Sequence, residues 1–418
     1  MIRRVLWFVN VDLTDFQRTP GYNGGGWMTA LLEHIQVEPD IELGVAFLSS
    51  DKALDKSFER NGVRFFPMQF QGTGLVRVAR WLSYEAQIAA HIQKYTEIVD
   101  LFRPDLIHVF GSERPYGLVA ESTNIPVALH VQGTLSAYQH AFLPPGLSFL
   151  SWLVSALPNF SLAVRRAREY RNFLRAAELE LRIYKSVDFV LGRTEWDKRI
   201  TCLISDARYM YCDEMLRKEF YHSDPADLSY DPEEINIVST ISSPTYKGLD
   251  QVLKIARELK KWSGVRVNWR VFGVTESHVA QMITGENPSD LGVHIGGVLS
   301  AEELIHELKH SDIYFHPSYI ENGCISVSEA RILGVPAIAF YAGGMISTID
   351  HMKTGILCPL NEPHIAASYI LELHSNHNLA SDIGANGRKH AKSRHSTVTV
   401  LSQIKEIYHA MSAENSRD

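Results

Sequence analysis

Cysteine is scarce in this chain. Its 418 residues include four, at Cys202, Cys212, Cys324 and Cys358, and no Cys-x-x-Cys pair or cysteine and histidine cluster has the spacing of a zinc site. So few cysteines in so long a chain argue against a disulfide framework. The sequence therefore favours a reducing, cytosolic setting.

Long apolar runs and a basic excess are also lacking. No stretch approaches the roughly 18 uninterrupted apolar residues of a transmembrane helix. The apolar run in "RRVLWFVNVD" is too short for the core of a signal peptide, so we interpret it as a first buried strand. The formal charge of −7 argues against a nucleic-acid-binding protein, which usually carries a basic excess.

Short apolar runs alternate with helical patterns in both halves of the chain. The first half opens with "RVLWFVN" and "GWMTALLEHIQ", and the second half restarts the rhythm with "INIVSTIS" and "GLDQVLKIARELKKW". Continuous apolar strands that alternate with helices are typical of parallel sheets covered on both faces. We therefore expect an α/β protein with two Rossmann-like, doubly wound domains that face each other across a cleft.

An acidic segment without apolar periodicity, "YHSDPADLSYDPEE", separates the two halves and has the composition of a linker. We expect an N-terminal domain over 1–212, a linker over 213–235 and a C-terminal domain over 236–394. Residues 395–418 are predicted to form a helix that packs back on the N-terminal domain. Ligands of such sheets bind beyond the carboxyl ends of the strands.

Three candidate groups lie near predicted strand ends. The glycines Gly24–Gly26 separate the first strand from the first helix, where backbone N–H groups can approach an anion or form a flexible turn. His130 ends a buried strand, where it is either a base or hydrogen-bond donor or a structural histidine. Lys247 precedes a helix, where it can neutralise a phosphate or lie on the surface.

The stretch "SYIENGCISVSEARILGVPAIAFYAGG" contains two carboxylates, Glu321 and Glu329. The pattern predicts a helix that begins near Ser326 and ends at Leu333, with Gly334 as its C-terminal stop. The two acids do not share a face of this helix, so they converge only if the preceding loop folds back across the helix start. Alternatively, Ser326 and Glu329 have the spacing of a capping box.

Residues 141–178 form a segment of unusual composition. A part rich in Leu, Phe and Trp is followed by five arginines, a pattern that can lie at a membrane surface. The alternative is a long core helix with a solvated basic face. Pro144, Pro145 and Pro158 argue against one continuous helix through the apolar part.

Taken together, these segments resemble glycosyltransferase family 4, whose members have the GT-B fold. The family signature is a Glu, a Gly-rich loop and a second Glu after seven intervening residues, and here it corresponds to Glu321, "NGCISVS" and Glu329. The strand entry "VPAIAF" and the turn "AGGMISTI" follow as in the family. Other matching segments occur in the expected order along nearly the whole chain: "PDLIHVFG", "RTEWDKR", "YKGLDQVL" and "TGILCPL".

The resemblance implies a role for each matched position in the C-terminal half. Glu329 would hydrogen-bond the ribose of a nucleotide-sugar donor, and Glu321 would contact the donor sugar or the charge that develops near it. Lys247 would pair with the diphosphate. Backbone groups of three residues would line the sugar and the diphosphate: Gly323, Cys324 and Ile325.

In the N-terminal half, which would be the acceptor side, the resemblance implies that His130 touches the transferred sugar. Gly25 and Gly26 would lie near the diphosphate or the acceptor. One position departs from the family pattern, because Ser242 stands five residues before the lysine, where an arginine is usual. A hydroxyl cannot replace the charge or the fork of a guanidinium. Arg193 is the nearest candidate for a substitute.

The implied activity is a retaining, metal-independent sugar transfer from a nucleotide sugar, with a UDP-sugar as the first expectation. The chain has no Asp-x-Asp motif to hold a metal ion, and no cofactor is expected. The acceptor would be a glycan or a lipid-linked molecule in polysaccharide or glycoconjugate biosynthesis, at a cytoplasmic or inner-membrane location. The alternatives are a GT-B pseudoenzyme that only binds its ligand, suggested by Ser242, and a sugar-nucleotide epimerase.

Overall fold

The strands of this computed structural model form two separate sheets, one in each half of the chain. The structure describes residues 3–14, 26–49, 51, 54, 56–69, 84–157, 159–228, 230–242 and 245–414.

The N-terminal sheet has eight strands in the order β3-β4-β2-β1-β5-β6-β7-β8. The strands are β1 Arg3–Val9, β2 Ile41–Leu48, β3 Phe58–Arg60, β4 Val63–Met68, β5 Leu106–Phe110, β6 Val127–His130, β7 Phe189–Gly192 and β8 Arg208–Tyr211. Neighbouring strands are parallel except β3 and β4. Since the strand order reverses between β1 and β5, this is the switch point at which such sheets bind ligands.

The C-terminal sheet has six parallel strands in the order β11-β10-β9-β12-β13-β14. The strands are β9 Glu234–Thr240, β10 Arg266–Phe272, β11 Val293–Ile295, β12 Ile313–His316, β13 Ala337–Phe340 and β14 Ile356–Cys358. Its switch point lies between β9 and β12. The predicted pair of Rossmann-like, doubly wound domains is therefore confirmed.

Helices cover both sheets. Those of the N-terminal half are α1 Gly26–Ile35, α2 Tyr84–Phe102, α3 Leu135–Tyr138, α4 Phe149–Val154, α5 Phe160–Ser186, α6 Glu195–Ile204 and α7 Lys218–Tyr221. Those that follow are α8 Leu249–Trp262, α9 His278–Thr284, α10 Ala301–Lys309, α11 Ile325–Ile332, α12 Pro363–Ser375, α13 His377–Arg394 and α14 Thr397–Glu414. The expected break in the apolar segment is present, because α4 and α5 are separate helices. Among the described helices, none is long and apolar enough to cross a membrane.

The last helix, α14, packs on the N-terminal sheet although it follows the C-terminal domain in sequence. Its apolar face joins the core around β1, and Tyr408 accepts a hydrogen bond from Trp7 Nε1 at 2.8 Å. The residues of α14 in this core are Val400, Ile404, Ile407, Tyr408 and Met411. The chain thus crosses between the domains twice, once before β9 and once before α14.

Helix α13 was not predicted, because two glycines and many polar residues interrupt its apolar pattern. The structure gives the reason for one of them. A Cβ at Gly384 would lie 2.2 Å from the carbonyl oxygen of Gly334, so the helix can approach this turn only with glycine at that position. The short strands β3, β8 and β14 were also not predicted.

Candidate functional site

A cavity of about 730 Å³ lies between the two domains, beyond the carboxyl ends of β9 and β12. Trp27 and Gln132 line it from the N-terminal domain, and Ser242, Lys247 and Glu321 line it from the C-terminal domain. This is the position at which doubly wound sheets bind ligands. Clefts of this size accommodate small organic molecules.

Lys247, His316 and Glu321 form a largely buried cluster in the wall of this cavity. Lys247 follows β9, and His316 is the last residue of β12. The loop after β12 brings the Glu321 carboxylate to 2.6 Å from Lys247 Nζ and 3.1 Å from His316 Nε2. Two strand ends and one loop therefore place two cationic groups on a single carboxylate oxygen.

The electrostatics of this cluster favour its charged forms. Burial opposes charge on both Glu321 and Lys247, but their mutual attraction outweighs burial. The pKa of the Glu321 carboxyl therefore lies well below its usual range, and that of Lys247 well above. Burial would also lower the pKa of His316, but Cys324 and then Glu321 raise it to about 9.

Glu329 is held by Arg217 and does not cap its helix. Arg217 Nε and Nη2 donate to the two carboxylate oxygens at 2.6 and 2.8 Å, and both side chains are largely buried. The helix begins one residue earlier than expected, with Cys324 as its N-cap, so Ser326 and Glu329 do not occupy capping-box positions. The capping-box alternative is therefore wrong, and both acids of the sequence motif line the same cavity.

The backbone between the two acids forms the cavity wall at the start of α11. Gly323, Cys324 and Ile325 all line the cavity. A Cβ at Gly323 would lie 2.8 Å from Arg193 Nε, so a side chain there would displace this arginine. The Gly344 amide donates a hydrogen bond to the Glu321 carbonyl at 2.8 Å, and this contact stabilises the loop that carries Glu321.

Arg193 reaches the cavity from the other domain. Its Nη1 donates to the Val131 carbonyl at 2.6 Å, and its Nη2 lies 3.2 Å from the Gln132 carbonyl and 3.3 Å from that of Gly323. These contacts tie the N-terminal domain to the loop before α11. They also use several N–H groups of Arg193, which the sequence suggested as a substitute for the family arginine that is replaced here by Ser242.

Two donors in this wall have no protein partner. Arg193 Nε and Arg217 Nη1 are buried and lack a hydrogen-bond acceptor within the described residues. Because an unpaired buried donor is costly, these groups are available to the acceptor atoms of a ligand. Both arginines line the cavity, and so does Glu214, whose Oε1 lies 2.9 Å from Arg193 Nη1.

Ser242, at the position of the family arginine, is exposed and lines the main cavity. It also lines an adjoining cavity of about 340 Å³ that extends toward α9. The hydroxyl contributes no charge there. The cationic side chains of the site are Lys247, Arg193 and Arg217, and each is paired with a carboxylate of the same cavity: Glu321, Glu214 and Glu329.

His130 lies behind the cavity wall. It is fully buried and absent from the cavity lining, whereas Trp27, whose ring centroid is 5.3 Å from that of His130, faces the cavity. His130 Nδ1 lies 3.3 Å from His108 Nε2, and His108 Nδ1 lies 2.9 Å from the Tyr408 hydroxyl. Burial, and then His108, hold the pKa of His130 well below its usual value, so the ring is neutral.

Of the glycine-rich turn, Gly26 is described and lines the cavity at the start of α1. A Cβ at this position would lie 2.7 Å from Arg217 Cγ, so glycine permits the close approach of Arg217. Gly24 and Gly25 lie outside the described residues.

Sequence reasoning missed Arg217, His316 and Trp27. Arg217 lies in the segment that was interpreted as a linker, where an arginine in "MLRKEF" gives no signal. His316 was included in a predicted strand but not recognised as a partner of Glu321, although it lies only five residues before it. In the sequence, Trp27 looks like any other apolar residue of α1. It lines the cavity because of the arrangement of the two domains, which the sequence pattern does not show.

His316, Glu321 and Cys324 place potential metal-ligand atoms within 4.8 Å of one another. Lys247 already neutralises the carboxylate, and the two ring nitrogens of His316 face different partners, Glu321 and Cys324. A lysine ammonium in the first shell would repel a cation. We therefore interpret the group as a hydrogen-bonded relay and assign no metal to it.

Comparison with known proteins agrees with this architecture. Residues 225–390 match the family described as "Glycosyl transferases group 1". An uncharacterized glycosyltransferase of Methanocaldococcus jannaschii is 26% identical over 164 residues, which are 39% of this chain and 42% of that protein. The chain therefore spans less than half the length of this relative.

Two of the similar solved structures cover nearly the whole chain. Sucrose-phosphate synthase from Thermosynechococcus elongatus superposes with a TM-score of 0.72 at 14% identity, over 99% of this chain and 100% of the other. The Anabaena protein HepE in complex with UDP and glucose superposes with a TM-score of 0.64 at 16% identity, over 97% and 99%. At these identities the likeness shows the fold, which is the GT-B arrangement.

Proposed function

We propose that this chain is a glycosyltransferase that moves a sugar from a nucleotide-sugar donor to an acceptor in the cavity between its two domains. The observation that carries the proposal is the convergence of Lys247, Arg193 and Arg217 on one cavity that also contains Glu321 and Glu329. Sugar transfer requires positive charge around the leaving diphosphate. In the proposed complex, Lys247 and the two guanidinium N–H groups that lack an acceptor within the described residues would bind the diphosphate beside their carboxylate partners.

The donor would lie along the start of α11. In this arrangement Glu329 accepts hydrogen bonds from the ribose hydroxyls, and Glu321 faces the sugar. The backbone of Gly323, Cys324 and Ile325 contacts the sugar and the diphosphate. UDP is the first candidate for the nucleotide, since HepE shares the fold and was solved with UDP and glucose.

We further propose that the transfer proceeds with retention of configuration and without a metal ion or cofactor. Lys247 would stabilise the departing diphosphate, and Glu321 would stabilise the developing positive charge on the sugar. His130 would act from behind Trp27 as a positioning residue. NMR of the first-formed anomer tests the stereochemistry, because an inverted product contradicts retention. Activity lost in excess chelator and restored by a divalent cation contradicts metal independence.

The acceptor would be a glycan or a lipid-linked molecule, and one surface supports the lipid-linked alternative. Four apolar side chains on α4, on α5 and between them are more than half exposed: Leu150, Val154, Leu157 and Phe160. Exposed arginines of α5 lie close by in sequence: Arg165, Arg168, Arg171 and Arg175. An apolar strip beside basic residues fits an anionic lipid surface, which would place the protein at the cytoplasmic face of a membrane.

Vesicle flotation tests this surface. We expect the protein to float with vesicles that contain about one third phosphatidylglycerol or phosphatidylserine, and Leu150→Ser combined with Phe160→Ser to reduce flotation strongly. Arg166 is unsuitable for charge reversal, because it is buried and donates to the Trp152 carbonyl. Reversal of Arg165 and Arg168 is the appropriate variant. Equal flotation of all variants, or none with the wild type, contradicts the proposal.

The activity itself is tested by release of free nucleotide from a panel of nucleotide sugars, with and without acceptors. We expect release by the wild-type protein and a loss of at least about a hundredfold in Lys247→Ala and Glu321→Gln. Lys260→Ala, on the far end of α8, is the matched control. An epimerised donor with its nucleotide intact indicates an epimerase and contradicts the proposal.

A nucleotide-binding protein without transfer activity is the second candidate, favoured by Ser242 in place of arginine. It predicts saturable nucleotide binding and no turnover with any acceptor. The variant Ser242→Arg distinguishes the two candidates further. If the missing charge limits transfer, this variant increases nucleotide release, whereas a protein that lacks the catalytic geometry stays inactive.

A further inference from the structure

Cys324 lies in the wall of the donor cavity and has the surroundings of an activated thiol. It is the N-cap of α11 and lines the cavity. Its Sγ lies 3.6 Å from His316 Nδ1 and 3.1 Å from Ser326 Oγ. The other nitrogen of His316, Nε2, lies 3.1 Å from Glu321 Oε2. The side chains thus form the series cysteine, histidine, carboxylate.

This order of groups is the one that activates a thiol. A histidine takes the thiol proton or pairs with the thiolate, and a carboxylate orients the histidine from its far side. The start of a helix adds favourable partial positive charge at the sulfur. The Ser326 hydroxyl can donate a hydrogen bond to the thiolate.

The charges around the sulfur act in opposite directions. Burial raises the pKa of the Cys324 thiol, but His316 lowers it by more than Glu321 raises it, and Lys247 also lowers it. Two further titratable groups in the described part of the chain lie close to this cluster: Tyr314, whose hydroxyl donates to Ser326 Oγ at 2.9 Å, and Glu329, which pairs with Arg217. The net result is a thiol pKa below its ordinary value.

We propose that Cys324 is a reactive thiolate in the donor cavity and a site of reversible oxidation by hydrogen peroxide. The thiolate attacks one peroxide oxygen, the S–O bond forms as the O–O bond breaks, and hydroxide leaves. Sulfur is oxidised to a sulfenic acid, and peroxide is reduced. A low-molecular-weight dithiol reduces the sulfenic acid back to the thiol, with release of water and oxidation of the dithiol to its disulfide.

The other cysteines are internal comparisons. Cys212 and Cys358 are buried, and burial raises the pKa of each thiol. Cys202 is exposed on α6 and reports simple accessibility. Cys324 therefore stands apart through its partners and not through its exposure, which is 7%.

The regulatory consequence rests on the proposed function. An oxidised or alkylated sulfur at the start of α11 adds bulk where the donor diphosphate and sugar would bind, so modification would block donor binding. Conversely, bound UDP would protect Cys324. The reactivity itself requires no nucleotide, so it is measured separately from any transfer activity.

The test is pulse alkylation of the native protein with iodoacetamide between pH 5.5 and 9, read by mass spectrometry of the Cys324 peptide. Glutathione in the same tube is the reference thiol. We expect the midpoint of Cys324 labelling to lie below that of glutathione. In His316→Asn, labelling at pH 6.5 should fall about tenfold, which corresponds to a rise of one pKa unit. Peroxide followed by a sulfenic-acid probe should label Cys324, and dithiothreitol should reverse the oxidation.

A midpoint at or above that of glutathione overturns the proposal, as does a native protein in which Cys202 reacts and Cys324 does not. If His316→Asn fails to fold, the labelling midpoint of the wild-type protein still tests the proposal. The variant Cys324→Ser confirms which cysteine is labelled. Protection of Cys324 by UDP supports the regulatory link. Reactivity that UDP leaves unchanged overturns that link while the reactive thiolate stands.

Discussion

Arg217 donates two hydrogen bonds, of 2.6 and 2.8 Å, to the Glu329 carboxylate. This contact joins the segment between the domains to helix α11, which carries Glu329. Both side chains are largely buried. The pair orients the Glu329 carboxylate at the cavity wall. Arg217 Nη1 has no acceptor among the residues that the structure describes, so a ligand can use this donor.

Removal of Arg217 should destabilise the fold. Arg217→Ala leaves the buried Glu329 charge without its partner, which typically costs about 3–5 kcal/mol. We expect the double variant Arg217→Met with Glu329→Leu to recover much of this loss. Thermal denaturation measures both effects, and Arg266→Ala is the control, because its pair with Glu234 is 3.9 Å long and its side chain is 67% exposed. Equal losses in Arg217→Ala and Arg266→Ala would disprove a structural role for the pair.

Glu321 should make the protein sensitive to acid. Its pKa in the folded protein lies well below the value of about 4.3 expected for an unfolded glutamate, so its stabilising contribution is complete above that pH. As the pH falls below about 4.3, the unfolded chain binds a proton that the folded protein does not, and stability declines. Replacement of this carboxyl by an amide that does not titrate should reduce the slope of the unfolding free energy against pH by about 1.4 kcal/mol per pH unit.

Denaturant titrations of wild type and Glu321→Gln between pH 2.5 and 6 measure this slope. Glu195→Gln is the control, since Glu195 is half exposed in its surface pair with Arg199. The same acid slope in wild type and Glu321→Gln would show that the carboxyl titrates normally and that the pair with Lys247 is weak.

Gly343 should be intolerant of a side chain for a reason that goes beyond its backbone angle. Its φ is +55°, and a Cβ there would lie 2.0 Å from the Glu321 carbonyl oxygen. Gly264 has a similar φ of +69° but open space around the Cβ position. We expect Gly264→Ala to cost only the conformational term of about 1–2 kcal/mol.

Gly343→Ala should cost more than Gly264→Ala and should also weaken nucleotide binding, because the Glu321 loop must shift. Thermal midpoints and nucleotide titrations of the two variants separate the steric effect from the conformational one. Matching results for both variants would show that the loop accommodates the new methyl group.

The Tyr408 hydroxyl should stabilise the contact of α14 with the N-terminal domain. It accepts from Trp7 Nε1 at 2.8 Å and lies 2.9 Å from His108 Nδ1 in the buried core. Tyr408→Phe leaves these groups unpaired, so we expect a loss of about 1–3 kcal/mol. Urea denaturation monitored by tryptophan fluorescence measures it. A loss below 0.5 kcal/mol, as an approximate limit for a surface change, would contradict the role of this network.

Much of the fold follows from periodicity. The apolar strands of both domains and the amphipathic helix α8 produce strong patterns, since each element buries one or both faces. Helix α13 was not predicted, because its close contact with Gly334 requires a glycine at position 384. A requirement that comes from tertiary packing leaves no periodic signal in the sequence. The strands at β3 and β8 are short and partly exposed, so they lack the buried runs that identify a strand.

The site was only partly accessible from sequence. The spacing of Glu321 and Glu329 identified a motif, but local spacing could not decide between a ligand contact and a helix cap. The structure excludes the cap, since the carboxylate is held by Arg217, 112 positions away from Glu329 in the sequence, and the ligand contact stays a prediction. His130 illustrates the opposite case, because a strand-end position predicted cavity contact, whereas packing places Trp27 in front of it.

The most direct test of the proposed donor site is calorimetric titration of UDP and UDP-sugars into wild type, Glu329→Gln and the control Glu372→Gln. We expect saturable one-to-one binding by the wild type, affinity reduced about tenfold or more in Glu329→Gln, and no change in Glu372→Gln, which lies on the exposed face of α12. Binding by the wild type that Glu329→Gln leaves intact would place the nucleotide elsewhere. A folded wild type that binds no nucleotide or nucleotide sugar would contradict the donor site altogether.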